Sequence, residues 1–201
     1  MATKTEILNK ALTLIGAAPV VNIDDSTNNA RILNRVYDLS LRSILSECMW
    51  NFAIKRALLA LSADVLQWYD AGVTIVYARP SDVIRIFGTN NDNAIWKEEG
   101  DHIVSDTSGL GIKYVYYLDT PSKYPAAFVD ALVDRLASDC AFMILNSKTI
   151  AQSFLEKYEG VSLLKATAEN AQIGTQQYMK DDAWTLAKDS DGGGRADLSY
   201  G

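Results

Sequence analysis

The chain has 201 residues, 48% hydrophobic and 22% charged, and 25 acidic against 19 basic side chains give it a net charge of −6. That length holds one or two domains with enough apolar material for a packed core, and the charged fraction is ordinary for a globular protein. The basic residues are scattered, with no cluster larger than Lys55-Arg56. This argues against a protein that grips nucleic acid, because phosphate neutralisation supplies most of that affinity. No apolar run reaches the roughly eighteen residues of a membrane helix, and Ala2-Thr3-Lys4 leads into no apolar signal segment. A mature start near Met1 and a cytoplasmic origin are expected.

A first helix is predicted over 3–15. Thr3 and Glu6 have capping-box spacing, and Ile7, Leu8, Ala11, Leu14 and Ile15 share one face. Gly16 ends it and Pro19 prevents its resumption. Asp25 or Ser26 is expected to cap a second helix, in which Leu33, Val36, Tyr37, Ser40, Ile44 and Cys48 recur at three- and four-residue steps. Arg31, Arg35, Asp38 and Arg42 lie off that stripe. After Trp50 the pattern changes to short β-type runs at 52–61, 73–77, 83–87, 95–97, 102–105 and 112–118, the later ones separated by turn clusters such as Thr89-Asn90-Asn91-Asp92 and Glu99-Gly100-Asp101. In the last run Ile112, Tyr114, Tyr116 and Leu118 alternate with Lys113, Val115 and Tyr117, so a meander or set of hairpins in an antiparallel sheet is predicted.

Helical periodicity returns at Pro125, a residue suited to a first turn. Phe128, Val129, Leu132, Val133, Leu136, Ala137, Cys140, Ala141 and Ile144 form one stripe, opposite Asp130, Asp134, Arg135 and Ser138. Burial of the five large members from Phe128 to Leu136 contributes about 1.5–3 kcal/mol each. A final helix is predicted over 149–178 with Phe154, Tyr158, Val161 and Leu164 inward. From Lys180 the composition is that of a flexible tail, because Asp189-Ser190-Asp191-Gly192-Gly193-Gly194-Arg195 has little to bury against the backbone entropy of ordering. No helix follows the triple glycine, so it does not read as a phosphate cradle. Trp184, Leu186, Leu198 and Tyr200 are apolar anchors on that tail, of the kind that binds another chain's surface.

The expected fold is α+β: a four-helix bundle with an antiparallel β-sheet or hairpin region inserted between helices 2 and 3, the sheet projecting from the bundle. Residues 1–51 and 122–179 form the bundle, 52–121 the β region and 180–201 the tail. Cys48 and Cys140 read as small buried hydrophobes. His102 sits beside a Gly-Asp turn with no second histidine in the chain, and reads as a surface residue rather than a ligand or base. Asp24-Asp25, Asp181-Asp182 and Asp189 with Asp191 lack the glycine and distal glutamate of a calcium loop. No catalytic, cofactor or metal residues are assigned.

The order of elements and several local motifs resemble the head-to-tail adaptor family of tailed bacteriophages, the tail tubular protein A type. The run from Ile7 to Gly16 with Pro19-Val20 looks like that family's first helix and its exit. The run from Ala30 to Tyr37, followed by Trp50-Asn51-Phe52-Ala53, resembles the second helix and its aromatic end. The run from Pro80 to Ile86, then Trp96 with Glu99-Gly100 and the run from Ile103 to Asp106, resembles a sheet strand and the hairpin after it. Tyr114-Val115-Tyr116-Tyr117 with Pro125, Phe128, Ala131-Leu132 and Leu136-Ala137 is similar to the last strand and third helix.

The resemblance implies a structural virion protein, non-enzymatic and without cofactor. Its subunits form a ring (a dodecamer in the virion, monomeric before assembly) below the portal, extending the DNA channel and receiving the next tail or nozzle component. Its partners are then itself, the portal protein, that tail component, and double-stranded DNA that passes without specific binding. Its place is the virion neck, and the host cytoplasm during assembly. An acidic subunit suits such a channel, since positive walls would hold phosphates. The segment 180–201 matches no part of that family's pattern, but its apolar anchors Trp184, Leu186, Leu198 and Tyr200, with Arg195, are expected to dock on the portal. Trp68, Tyr69 and Trp96 are either anchors at a ring or tail-component interface or fillers of a sheet core. Two alternatives stand beside this reading. A virion-associated peptidoglycan hydrolase needs two carboxyls about 5–9.5 Å apart, and Glu47, beside Cys48-Met49-Trp50, has the most apolar neighbours of any acid. The composition also allows a small soluble interaction protein acting as a monomer or dimer.

Overall fold

The computed structural model describes residues 2–64, 66–70 and 72–173. In chain order these form α1 (Lys4–Leu14), α2 (Asn28–Glu47), β1 (Ile54–Leu58), β2 (Ile75–Ala78), β3 (Val83–Thr89), β4 (Trp96–Glu99), β5 (His102–Ser105), β6 (Gly111–Tyr116), α3 (Ala126–Leu145), α4 (Lys148–Lys157) and α5 (Leu163–Gln172). The fold class is α+β, with two small antiparallel sheets. The segment 180–201, and the end of the helix expected to reach residue 178, lie outside the described residues.

The helix ends follow local chemistry. Glu6 N donates to Thr3 Oγ1 at 3.2 Å while Thr3 N donates to Glu6 Oε2 at 2.7 Å, closing the capping box of α1. Gly16, at φ +76°, takes the left-handed turn that stops it. The cap of α2 is Thr27, whose hydroxyl accepts from Ala30 N, and not Asp25 or Ser26. Asp25 is already engaged, its carboxylate accepting from Asn22 N at 3.0 Å. Pro125 sits at the N-cap of α3, and Asn146, left-handed at φ 54°, ends that helix before Ser147 caps α4.

Helix α3 is central, with α1, α2 and α4 all packed against it. Crowding from several sides buries more of it than one stripe. Asp134 and Ser138, expected on the solvent face, are buried because α4 and its continuation cover them. Ser138 Oγ donates to Ala151 O at 2.9 Å, and Lys157 Nζ and Ser162 Oγ both donate to the Asp134 carboxylate. Between α4 and α5 the helix widens into one π turn, Tyr158–Ser162. A π turn holds an extra residue and rotates everything after it. The inward face therefore continues through Tyr158, Ser162, Ala166 and Asn170, while Val161 and Leu164, expected inside, are each 59% exposed.

The strands do not make one meander. They pair as β1-β6-β3 and β2-β5-β4, every neighbour antiparallel. Strand β6 explains the arrangement, because both of its faces are apolar. Val115 points into the helical core with Leu118, whereas Ile112 and Tyr114 meet Tyr77 and Ile103 of the second sheet. The first sheet is thus packed between the helices and the second sheet, and does not project freely.

Trp50 closes the helical core. It is fully buried, its ring stands edge-on to Phe128 at 4.9 Å, and its Nε1 donates to Ile44 O at 2.8 Å. Trp50→Ala should lower unfolding free energy by about 3–5 kcal/mol in a guanidinium titration. Trp68→Ala, on an exposed ring, should change it by less than about 0.5 kcal/mol. Equal effects would contradict this assignment of the core.

Candidate functional site

The side chains able to do chemistry are mostly tied into the fold. Cys140 is buried in α3, and that burial pushes its thiol up to about 12. Cys48 is half-buried and its thiol is also raised, chiefly by desolvation. Neither carries the thiolate that a nucleophile needs near neutrality. Glu47 is exposed at the end of α2 rather than held in an apolar pocket. His102, expected on the open surface, is half-buried on β5 with Nε2 3.6 Å from the Asp64 carboxylate. Among the described residues, no group of three His, Cys, Asp or Glu side chains comes together.

A polar network links the start of α1, the middle of α2 and the stretch after β6. Tyr37 Oη donates to Asp119 Oδ1 at 2.9 Å, and Lys4 Nζ lies 3.3 Å from Asp119 Oδ2 and 3.9 Å above the Tyr37 ring. Tyr124 Oη donates to Leu118 O, and Tyr117 Oη donates to Asp38 Oδ1 at 2.7 Å beneath the Arg42 guanidinium. Burial, the largest cause, and the nearby carboxylates raise Tyr37 and Tyr117 far above the usual phenol range. Burial first of all also lifts Tyr124 and Tyr158 to about 12. Tyr37, Tyr117 and Tyr124 hold elements together as neutral donors, whereas the buried Tyr158 hydroxyl has no hydrogen-bond partner among the described residues.

Large apolar and aromatic side chains also stand exposed at the two sheets. The first sheet, beyond the part the helices cover, presents Arg56, Leu58 and Lys113, with Leu58 77% exposed. Asn90 shapes its edge: Gly111 N donates to Asn90 Oδ1 at 2.8 Å, and Asn90 Nδ2 donates to Gly109 O at 3.1 Å. A Cβ on Gly111 would lie 3.2 Å from Asn90 and 3.3 Å from Leu58, so glycine permits this close approach. The second sheet carries a shallow depression lined by Leu66, Trp68, Tyr69, Val73, Val104 and Glu99.

Of the aromatic candidates, Trp68 is 75% exposed and Tyr69 lies beside it. Trp96 packs half-buried against the cluster between the sheets, as a filler. Trp184, Leu186, Arg195, Leu198 and Tyr200 lie outside the described residues. Leu58 was missed because it lies in an apolar strand pattern, and only the position of the helices shows that its end of the sheet is uncovered. No helix among the described residues is long and apolar enough to cross a membrane. No family model matches the chain, and no curated protein matches it.

The raised phenols set a pH dependence. A folded-state value above the unfolded one gives stability that is complete below the unfolded value, about 10 for tyrosine, and lost as pH rises toward the folded one. The guanidinium midpoint should hold steady from pH 7 to 9 and fall between pH 10 and 11. A midpoint unchanged to pH 11 would show that these tyrosines ionise alike in both states.

Proposed function

We propose that this chain is a structural, non-enzymatic subunit of a tailed-bacteriophage neck, an adaptor of the head-to-tail connector type. Copies form a ring, a dodecamer in the virion, under the portal. The ring extends the DNA channel and receives the next tail or nozzle component. In this reading the helices are a four-helix body and the β region is an insertion that carries contact surfaces. The subunit is monomeric in the host cytoplasm before assembly. Double-stranded DNA passes through without specific binding, which suits the net charge of −6.

One observation carries the reading. Large apolar side chains stay exposed, Leu58 on the first sheet and Trp68 in the segment that lies over the second, while Cys140 is buried and the Asp134 carboxylate and Tyr37 hydroxyl are hydrogen-bonded internally. Apolar side chains of that size left exposed on two separate faces fit contacts with other protein chains. The segment 180–201, with Trp184, Leu186, Arg195, Leu198 and Tyr200, is assigned to the portal. Many such segments docking together on one ring gain by avidity.

Electron microscopy of the chain mixed with portal-bearing heads should show a ring at the vertex. Deleting 180–201 should leave the circular dichroism spectrum and unfolding midpoint in place while abolishing attachment. Heads that stay bare with the full chain would sink the adaptor reading. Attachment unaffected by the deletion would sink the role given to the segment.

A further inference from the structure

The two sheets pack face to face, and the pleat decides which residues look outward. Ala57, Ile112 and Tyr114 of the first sheet meet Tyr77 and Ile103 of the second in the cluster between them. Alternation along each strand then turns Arg56 and Lys113 to the far side of the first sheet, and Val76 and Val104 to the far side of the second, where Leu66 and Val73 pack over them and the exposed Trp68 stands in the same covering segment. The two outer faces therefore point in opposite directions.

They also differ in charge. Arg56 stands directly opposite Lys113 in the β1–β6 register, two like charges paired across strands. Among the described residues neither is in an ion pair. Leu58, two residues along on the same face, adds an exposed apolar centre. On the other face Asp64, Asp70 and Glu99 outnumber Lys97, which Asp70 engages, around the exposed Trp68.

We propose that copies of this chain associate head to tail. The basic outer face of the first sheet (Arg56, Leu58, Lys113) of one copy seats on the acidic, aromatic outer face of the second sheet (Trp68, Tyr69, Glu99) of the next. The proposal deepens the ring reading and rests on it. A two-fold contact of either face with itself would oppose like charges, whereas a contact between unlike faces joins opposite charges and buries an apolar centre on each side. Unlike faces pointing in opposite directions are what a ring of repeated subunits requires.

The test uses two charge-reversed full chains, Arg56→Glu with Lys113→Glu, and Asp64→Lys with Glu99→Lys, each first shown to be folded by circular dichroism. Sedimentation velocity is run on each variant, on the wild type and on an equimolar mixture of the variants. Where the wild type associates only on portal-bearing heads, ring occupancy there is read instead. Each variant alone should need at least about tenfold more protein to associate than the wild type. The mixture should recover wild-type behaviour, because reversed faces then alternate in complementary pairs. Salt should weaken the wild-type contact.

Variants that associate like the wild type, or a mixture no better than its components, would overturn the pairing of faces and leave the ring reading standing. Reversal that spares self-association and weakens only portal attachment would assign the basic face to the portal, and also overturns it. Reversal and rescue in assemblies that never close into rings would uphold the pairing while defeating the ring. A wild type that associates in neither setting defeats both.

Discussion

Four aromatic rings tie the strands to the helices. Trp50 follows α2 and Phe52 sits in the turn that opens β1, whereas Tyr124 precedes α3 and Phe128 lies in its first turn. Their ring centroids are 4.7 Å apart for Phe52 with Phe128, 5.1 Å for Tyr124 with Phe128 and 5.7 Å for Phe52 with Tyr124, mostly edge-on. Each such pair adds about 0.5–1.5 kcal/mol beyond the area it buries. The cluster joins the point where the chain leaves the helices to the point where it returns. It thereby offsets the entropy of closing a long loop, a cost that grows only slowly with loop length. The end of α5 secures the same junction: Asn170 Oδ1 accepts from Asn51 N at 2.8 Å, and Asn170 Nδ2 donates to Met49 O at 2.8 Å.

With both junctions fixed, β1 and β6 are held against the helical core, and the rest of the β region is placed by pleat and register. Tyr77 shows how the second sheet is attached. Its ring is buried in the cluster between the sheets, and its hydroxyl donates to Thr107 O at 2.7 Å, in the loop before β6. Core packing at the junction is therefore what aims the outer surfaces, some distance from any ring of the aromatic cluster. A large cavity at Trp50 should be felt first as loosened sheet placement and only then as lost secondary structure.

Local chemistry was legible in the sequence, and tertiary covering was not. The capping box at Thr3 and Glu6, the stop at Gly16 and the bounds of β5 all depend on neighbours within four residues. Asp134 shows the limit. Its polarity placed it outside, yet Lys157 and Ser162 satisfy it from a helix whose position periodicity cannot give. The π turn at Tyr158–Ser162 has no marker in composition, so the stripe extrapolated through Val161 and Leu164 slid off the inner face. Strand positions were close, but their division into two sheets depends on β6 having apolar residues on both faces, which fits a central strand of one sheet as well as a strand shared between layers. For the aromatics, Trp96 and Trp68 look alike in the chain, and only the fold separates the filler from the exposed ring.

The same limit governs charge. Lys55-Arg56 is the densest basic spot in the sequence, but the pleat sends neighbours to opposite sides of the sheet. Lys55 crosses the Tyr116 ring at 4.0 Å and bonds the Asp82 carboxylate, which closes β1 onto the start of β3. Desolvation works against the Asp82 anion, yet the hydrogen bond from Lys55 outweighs it with the help of other contacts and leaves that carboxyl below its ordinary range. Arg56, one residue on, gains no such partner among the described residues and meets Lys113 instead. Two adjacent cations thus divide their roles: one is neutralised to build the fold, the other is left with its charge on the surface. A net charge of −6 says nothing of that division, and a chain can be acidic as a whole while presenting a basic face to whatever it binds.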